Sequence, residues 1–234
     1  MKFDQTSRLA IVIPAFNEAE AIGSVVSGIT AFGSVIVVND GSTDSTACLA
    51  RAAGAVVVSH EINHGYDKAL ASGIEKALAE EFDFVITLDA DGQHEARLIE
   101  SFLMELTNGA DLVIGVRDQY QRVSEKIFAL LAEVLWGISD PLSGMKGYRL
   151  SKLNGGVTLC SYPSIGTELT IRAARAGWNI VQIPVKLRDR VGNSRFGAGF
   201  YPNWLIFRAM LLGIFRAKAY VVDKEVGSRP KCQS

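Results

Sequence analysis

The sequence predicts an α/β fold with a mostly parallel sheet and helices on both of its faces. The chain has 234 residues, of which 48% are hydrophobic and 21% are charged, and a chain of this length and composition can bury a substantial core. Short β-branched segments alternate with amphipathic segments of helical length through its first half. This alternation is typical of βαβ units, in which helices connect parallel strands across the faces of a sheet.

The elements of the first half follow one another in a regular order. Five short segments rich in Val, Ile and Leu are predicted as strands: Leu9–Ile13, Val35–Val38, Ala55–Val58, Phe82–Leu88 and Asp111–Val116. Four amphipathic segments between them are predicted as helices: 18–31, 43–53, 66–80 and 95–107. Asn17, followed three residues later by Glu20, predicts a capping box at the start of the first helix.

The second half has a different pattern. Asp140–Arg149 is predicted as a loop because it is rich in Gly, Ser and Pro, and the helix before it is expected to end at Gly137. The remaining segments are predicted as follows: helices over Ser124–Gly137, 166–176 and 201–217, a strand over Ile180–Leu187, a glycine-rich basic loop over 188–199, and a flexible tail over 218–234.

The net charge of −1 hides a division along the chain. Residues 1–116 carry 6 basic and 17 acidic side chains, whereas residues 117–234 carry 18 and 8. The basic half indicates an anionic partner, such as phosphate groups or a membrane surface, unless its charge is simply uneven surface charge.

The cysteines and the apolar segments indicate the compartment. Cys48, Cys160 and Cys232 are odd in number and widely spaced, which argues against a disulfide framework or a zinc site. No apolar segment reaches the roughly 18 residues that span a bilayer, and the N-terminus lacks a signal-peptide pattern. We therefore expect a cytoplasmic protein.

Polar motifs follow each of the first four predicted strands. They are Pro14–Glu18, Asn39–Thr46, Asn63–Lys68 and Asp89–His94. Because the carboxyl ends of parallel strands share one edge of a sheet, where ligands bind in such folds, the four motifs predict a site at that edge.

The fourth motif has the composition of a site for a divalent cation. Asp89 and Asp91 flank Ala90, and Gln93 adds a neutral oxygen. Oxygen ligands of this kind bind Mg²⁺ or similar cations, which are completed by water and substrate phosphates. The alternative is turn chemistry, in which Asp91 only caps the following helix.

Two residues of the other motifs are further candidates. Asp40 can accept hydrogen bonds from a nucleobase or ribose, although Ser42 and Asp44 after it are also good helix caps. Lys68 either neutralises a phosphate or is an ordinary lysine on a helix surface.

Together these motifs resemble the signatures of inverting family 2 glycosyltransferases, which have the Rossmann-like GT-A fold. The chain is most similar to the branch that transfers hexoses to dolichyl or polyprenyl phosphate. The motifs that carry the resemblance are Val12–Glu18, Val38–Asp44, Asn63–Gly65, Leu88–Gln93, Gly115–Arg117, Asp140–Gly144, Glu168, Ile183–Arg190 and Gly192–Ser194. The resemblance covers residues 9 to about 200.

The resemblance has one departure. The branch usually has Ser-Gly-Phe-Arg where this chain has Ser143-Gly-Met-Lys146. Lysine keeps the positive charge but cannot form the bidentate hydrogen bonds that arginine makes to a phosphate.

The resemblance implies the organisation of the chain and its reaction. We expect one GT-A catalytic domain over 1–217, with a nucleotide-sugar half over 1–116 and an acceptor half over 117–217. The implied reaction moves a hexose from a GDP- or UDP-hexose to a polyprenyl (dolichyl or undecaprenyl) phosphate, with Mg²⁺ or Mn²⁺ as the cofactor.

The site residues are expected in four groups. The donor is expected to contact Pro14, Phe16, Glu18, Asp40, Lys68, Asp89, Ala90 and Asp91. The cation is expected to be bound by Asp89, Asp91 and Gln93. The acceptor is expected to contact Arg117, Ser143, Lys146, Arg190 and Arg195. The catalytic residues are expected to be Asp91 and Arg117.

The expected acceptor side is basic, because loops after the metal strand carry Arg117, Lys146, Arg149, Arg190 and Arg195. A phosphate acceptor satisfies these cations, and it needs no strong general base because it is already ionised at neutral pH. No nucleic acid is expected as a partner. The apolar segment 204–215 either packs in the core or lies on an anionic membrane. The protein is expected to attach to the cytoplasmic face of the membrane, either peripherally or through a membrane-embedded partner.

Two alternatives to this function stay open. The same fold can act on a hydroxyl of a glycan or cell-wall polymer, a reaction that needs a carboxylate base such as Glu168 or Asp140. A non-catalytic nucleotide-sugar-binding protein is the other.

Overall fold

The computed structural model of the chain describes residues 8–118, 122–153 and 165–188, apart from the side chain of Ile165. The strands are β1 (Leu9–Ala15), β2 (Ser34–Asp40), β3 (Val56–His60), β4 (Phe84–Thr87), β5 (Leu112–Arg117), β6 (Lys146–Arg149) and β7 (Ile180–Val185). The α-helices are α1 (Ile22–Ile29), α2 (Thr46–Ala52), α3 (Tyr66–Ala79), α4 (Leu98–Thr107), α5 (Val123–Trp136) and α6 (Ile165–Arg175). A short 3₁₀ turn, Leu150–Lys152, follows β6.

Several expectations lie outside the described residues. They concern Arg190, Arg195, Cys160, Cys232, the predicted helix over 201–217 and the tail over 218–234.

Within the described residues the strands form one sheet in the order β3-β2-β1-β4-β6-β5-β7. The strands β1 to β4 pair in parallel, and β5 pairs with β7 in parallel. The prediction of a mostly parallel sheet is therefore confirmed. The carboxyl ends of β1 to β5 and β7 all lie at one edge, which we call the site edge.

The strand β6 corrects the sequence prediction, which had its residues inside a loop. It lies between β4 and β5 and runs antiparallel to both. Its segment, Lys-Gly-Tyr-Arg, has none of the apolar alternation by which a strand is recognised. Because β6 is reversed, its first residue, Lys146, lies beside Thr87 and Ile114, near the carboxyl ends of both neighbours.

Alternating side chains of the strands form a core on each face of the sheet. Val12 and Val38 belong to one cluster, with buried residues of α3, α5 and α6. Ile11 and Ile13 belong to the other, with buried residues of α1, α2 and α4. The helices therefore cover both faces, as predicted.

The predicted capping box at Asn17 is wrong. The helix α1 begins only at Ile22, and its N-cap position, Ala21, makes no side-chain cap. Asn17 instead has a left-handed backbone with φ of 51°, a conformation that asparagine tolerates better than most residues. The predicted end of α5 is confirmed, because Gly137 has φ of 68° and caps the helix.

Candidate functional site

The loops after β1 and β2 are hydrogen-bonded to each other. The backbone N–H of Asn17 donates to Ser42 Oγ at 2.9 Å, and Thr43 N–H donates to Asn17 Oδ1 at 2.9 Å. The N–H of Glu18 donates to Thr46 Oγ1 at 2.8 Å. These reciprocal bonds bring the Pro14–Glu18 and Asn39–Thr46 motifs together at the site edge.

Asp40, the last residue of β2, is buried and accepts three hydrogen-bond contacts. The backbone N–H of His64 donates to its Oδ1 at 3.0 Å, and that of Gly65 donates to its Oδ2 at 2.7 Å. His60 Nδ1 lies 2.6 Å from Oδ1. Asp40 therefore connects the ends of β2 and β3 to the start of α3.

Asp89 is held by side chains from two parts of the fold. The hydroxyl of Tyr66, in the first turn of α3, donates to its Oδ1 at 3.1 Å. His94 Nε2 lies 3.6 Å from its Oδ2. Burial alone would raise the pKa of Asp89, but the interactions with His94 and Tyr66 and the charge of Arg117 lower it below its usual 3.8. Asp89 is thus an ionised carboxylate at neutral pH.

Asp91 and Gln93 form a turn at the same place. The backbone N–H of Gln93 donates to Asp91 Oδ1 at 3.1 Å, so a local turn is present, but the alternative that Asp91 caps the following helix is wrong, because α4 begins only at Leu98 and has no side-chain cap. The side-chain amide of Gln93 donates to the carbonyl of Arg188 at 3.1 Å, and Arg188 N–H donates back to the carbonyl of Gln93 at 2.9 Å. These bonds connect the turn to the segment after β7.

The oxygen atoms of Asp89, Asp91 and Gln93 suit a hard cation whose coordination is completed by other ligands. Among the described residues, no group of three or more His, Cys, Asp and Glu side chains is placed to bind a metal by itself. Two carboxylates and an amide oxygen are, however, the ligands that Mg²⁺ takes when phosphates and water supply the rest. Space is kept for the Asp89 carboxylate by Gly144, where a Cβ atom would lie 2.2 Å from Oδ2.

Arg117, at the end of β5, is surrounded by carboxylates. Its Nε donates to Asp140 Oδ2 at 2.8 Å and its Nη2 to Asp140 Oδ1 at 3.0 Å, which is a bidentate pair. Its Nη1 lies 3.4 Å from Glu125 Oε2. Arg117 is therefore already paired at the site edge.

Lys146 is buried beneath the loop that precedes β6. Its ammonium donates to the carbonyls of Pro141, at 3.0 Å, and Ser143, at 2.6 Å. Burial lowers its pKa from 10.5 to about 8, although Asp140 opposes that shift. Ser143 is also buried, and its hydroxyl donates to the carbonyl of Met145 at 3.4 Å.

Arg149 does not belong to this edge, which corrects its expected place on the acceptor side. It is the last residue of the reversed strand β6 and therefore lies at the opposite edge. There its guanidinium stacks over Phe84, 5.1 Å from the ring centroid, and donates to the carbonyls of Leu106 and Ala110. Arg117, Lys146 and Arg149 all have partners within the protein, so each is stabilised before an external anion binds, and the expected contacts of Arg117 and Lys146 with an acceptor stay predictions.

The comparisons with known proteins agree with this architecture. The family model described as "Glycosyl transferase family 2" matches residues 10–161, which include the four strand-end motifs and β6. The chain belongs to glycosyl transferase family 2. The predicted family is therefore confirmed, and the protein is a glycosyltransferase.

Two relatives have names that state an acceptor. The dolichyl-phosphate hexose transferase of Haloferax volcanii is 32% identical over 200 residues, which cover 80% of this chain and 86% of that protein. The undecaprenyl-phosphate mannosyltransferase of Micrococcus luteus is 27% identical over 217 residues, which cover 82% of this chain and 88% of that protein.

A solved structure confirms the GT-A fold. Glucosyl-3-phosphoglycerate synthase from Mycobacterium tuberculosis, in complex with Mn²⁺, uridine diphosphate and phosphoglyceric acid, has a TM-score of 0.72 at 24% identity. The match covers 96% of this chain and 82% of that chain.

The structure brings most of the predicted site residues of this glycosyltransferase to one edge. Those described there are Pro14, Phe16, Glu18, Asp40, Lys68, Asp89, Ala90, Asp91, Gln93, Arg117, Ser143 and Lys146. Their roles in binding donor, cation and acceptor stay predictions.

His60 and Ser72 were not predicted as part of the site, and Tyr66 and His94 belong to two of the strand-end motifs but were not among the expected site residues. A signal for His60 was present, because polar residues at the carboxyl ends of parallel strands are candidates for function. The prediction ended β3 at Val58, two residues before the observed end of that strand, so His60 was not considered.

Gly144→Ala is expected to impair glycosyl transfer without unfolding the protein. The added methyl group would displace the Asp89 carboxylate, which is the far end of a side chain and can move more readily than backbone, although its contacts with Tyr66 and His94 would be disturbed. We expect the initial rate to fall at least about tenfold, because reacting groups must be placed within a fraction of an ångström.

Gly28→Ala is the matched control, since a Cβ atom at this position in α1 meets nothing within 4 Å. Its rate should be unchanged and its thermal unfolding temperature equal or higher, because alanine favours helix. Equal rates for the two variants would contradict the role of Gly144.

The buried ammonium of Lys146 predicts a pH-dependent stability. Its pKa is about 8 in the fold and 10.5 normally, so between these pH values the unfolded chain binds more protons and stability rises with pH. The free energy of unfolding of the wild type, measured relative to Lys146→Met by chemical denaturation, should rise by up to about 3 kcal/mol from pH 7 to pH 10.5.

Lys76 on α3, whose side chain is half-buried and pairs with Glu80 at 2.9 Å, provides the control. The difference between the wild type and Lys76→Met should show little dependence on pH in the same range. A flat difference for Lys146→Met as well would mean that Lys146 is not a buried cation.

Proposed function

We propose that this glycosyltransferase moves a hexose from a nucleoside diphosphate sugar to a polyprenyl phosphate. The observation that carries the proposal is the convergence of two carboxylates, Asp89 and Asp91, and two cations, Arg117 and Lys146, at one sheet edge. The relatives from Haloferax volcanii and Micrococcus luteus, whose names state lipid phosphate acceptors, support the choice of acceptor.

The donor is proposed to lie over the ends of β1, β2 and β4. In this arrangement Asp40 contacts the nucleoside, and Asp89, Asp91 and Gln93 hold Mg²⁺ or Mn²⁺ against the diphosphate. A bound cation of this kind stabilises the negative charge of the leaving diphosphate. The residues 1–116 would then contribute the donor site and 117–217 the acceptor site.

Arg117 is proposed to meet the acceptor phosphate at the end of β5. Its pairing with Asp140 and Glu125 fixes the orientation of the guanidinium and lowers its net attraction for anions. Lys146 is proposed to act indirectly. Its ammonium donates to the carbonyls of Pro141 and Ser143 and so holds the loop that precedes β6 in place. The attacking oxygen of a phosphate is ionised already, so the reaction needs no general base.

The pairing of Arg117 with Asp140 makes the alternative of a hydroxyl acceptor less favourable, because that reaction needs a carboxylate base. Asp140 is fully buried, and both of its carboxylate oxygens accept hydrogen bonds from Arg117, so an acceptor hydroxyl would have to displace Arg117 to reach it. Glu168, in the first turn of α6, is the remaining described candidate.

The decisive assay compares two acceptors that differ only in the phosphate. The full chain is incubated with radiolabelled UDP- and GDP-hexoses, Mg²⁺ or Mn²⁺, and vesicles that contain either undecaprenyl phosphate or undecaprenol. We expect transfer to the phosphate alone, and its loss by a factor of at least about 100 in Asp91→Asn, because the diphosphate loses its counter-charge. Glu100→Gln, on the exposed side of α4, should retain full activity and serves as the control.

The other outcomes identify the alternatives. Transfer to undecaprenol that disappears in Glu168→Gln would indicate a hydroxyl acceptor. Absence of nucleoside diphosphate release with every acceptor would indicate a binding protein, and full turnover by Asp91→Asn would remove the cation from the mechanism.

A membrane location is proposed from the outer face of α5. No helix among residues 8–118, 122–153 and 165–188 is long and apolar enough to cross a membrane. One face of α5 nevertheless carries Val123, Ile127, Leu130 and Val134, spaced four, three and four residues apart and 52% to 74% exposed. We call these four residues the apolar stripe.

The apolar stripe lies next to the proposed acceptor site. Glu125, in the first turn of α5, is the residue that lies 3.4 Å from Arg117, while Phe128 and Ala132 on the inner face are buried in the core. An apolar helix face that rests on a lipid surface would therefore bring Arg117 close to the lipid headgroups.

Vesicle flotation tests this placement. Leu130→Ser with Val134→Ser is expected to reduce binding to anionic phosphatidylglycerol vesicles by about tenfold, because two apolar side chains that would be buried in the lipid on binding are replaced by polar ones. The control is Leu49→Ser with Met104→Ser, which removes exposed apolar side chains from α2 and α4 on the other face of the sheet. Equal losses for the two pairs would contradict a specific role of α5.

A further inference from the structure

The Asp40 carboxylate is held from one side by an imidazole ring. Nδ1 of His60, the last residue of β3, lies 2.6 Å from Asp40 Oδ1, and the two side chains are only 13% and 4% exposed. The same carboxylate accepts hydrogen bonds from two backbone N–H groups, and we assign Nδ1 as a third donor to it.

The second ring nitrogen of His60 also has a partner. Its Nε2 lies 3.0 Å from Ser72 Oγ, in the second turn of α3. In the neutral tautomer with hydrogen on Nδ1, Nε2 is an acceptor and Ser72 donates to it. The ring cannot rotate without breaking both bonds. We call this line of side chains the Asp40–His60–Ser72 chain.

The remaining bonds of Asp40 come from a single segment. The N–H groups of His64 and Gly65 both precede α3, so His60 is the side-chain partner from a different element. A carboxylate has about four acceptor positions, and the residues that the structure describes use three of them. The fourth, on Oδ2, has a fixed direction as long as His60 prevents the carboxylate from turning.

We propose that His60 and Ser72 are positioning residues that set the affinity for the nucleoside of the donor through Asp40. This inference rests on the proposed function, in which Asp40 contacts the nucleoside. An acceptor whose direction is fixed before binding loses no freedom when the nucleoside arrives. His60 and Ser72 make no contact with the nucleotide in this arrangement.

Calorimetric titration with UDP and with GDP, in the presence of Mg²⁺, tests the proposal. For the nucleotide that the wild type binds more tightly, His60→Leu should weaken binding about tenfold or more, the effect of losing a hydrogen bond to a charged group. His60→Asn, whose amide can donate from the position of Nδ1, should remain within about threefold, and Ser72→Ala should lose about threefold.

Steady-state kinetics separate positioning from a general structural effect. In His60→Leu the donor KM should rise, while kcat at saturating donor and the acceptor KM stay within about twofold of the wild type. Ser27→Ala, an exposed serine on α1, is the control for Ser72→Ala and should bind nucleotide as the wild type does.

Three results would overturn the proposal: wild-type affinity in His60→Leu, equal losses in His60→Asn and His60→Leu, or a defect confined to kcat or the acceptor KM. If His60→Leu does not fold, the nucleotide affinities of His60→Asn and Ser72→Ala test the proposal instead, and wild-type affinity in Ser72→Ala would then overturn it. Nucleotide binding that survives in His60→Leu rejects the positioning role alone, whereas a wild type that binds neither nucleotide rejects the proposed function as well.

Discussion

The reversal of β6 is the constraint on which the site depends. A purely parallel sheet would place the start of this strand at the edge opposite the site. Because β6 runs antiparallel between β4 and β5, its amino end and the loop before it meet the carboxyl ends of both neighbours. Lys146 and Gly144 consequently lie against the segment that carries Asp89, and Arg149 is placed at the far edge.

The charges at this edge balance one another within the protein. Arg117 is paired with Asp140 and Glu125, and Lys146 is enclosed by carbonyl oxygens. A buried charge without partners would be costly, so each cation is stabilised before any ligand is present. The basic half of the chain therefore does not present these side chains as free cations, and an incoming phosphate would have to compete with Asp140 and Glu125 for Arg117.

Much of the fold and part of the site could be predicted from the sequence, because both follow from local patterns. The continuous runs of Val and Ile predict the buried strands β1 and β2, and the glycine at position 137 predicts the end of α5. The carboxylates Asp89 and Asp91 were found because they directly follow such a strand. Tyr66 was missed because its partner, Asp89, lies 23 residues away along the chain, and no local pattern reports such a contact. His60 was missed because β3 was predicted to end two residues before it.

By itself the sequence determined the alternation of strands and helices, the family and the set of polar residues at the strand ends, since each depends on hydrophobic period or on contiguous motifs. Only the tertiary structure decided the place of β6, the partners of Arg117 and the division of the basic residues between two edges. The physical reason is that strand pairing and ion pairing are settled by packing between distant segments. A segment such as Lys146–Arg149 becomes a strand because β4 and β5 supply hydrogen-bonding partners on both of its sides.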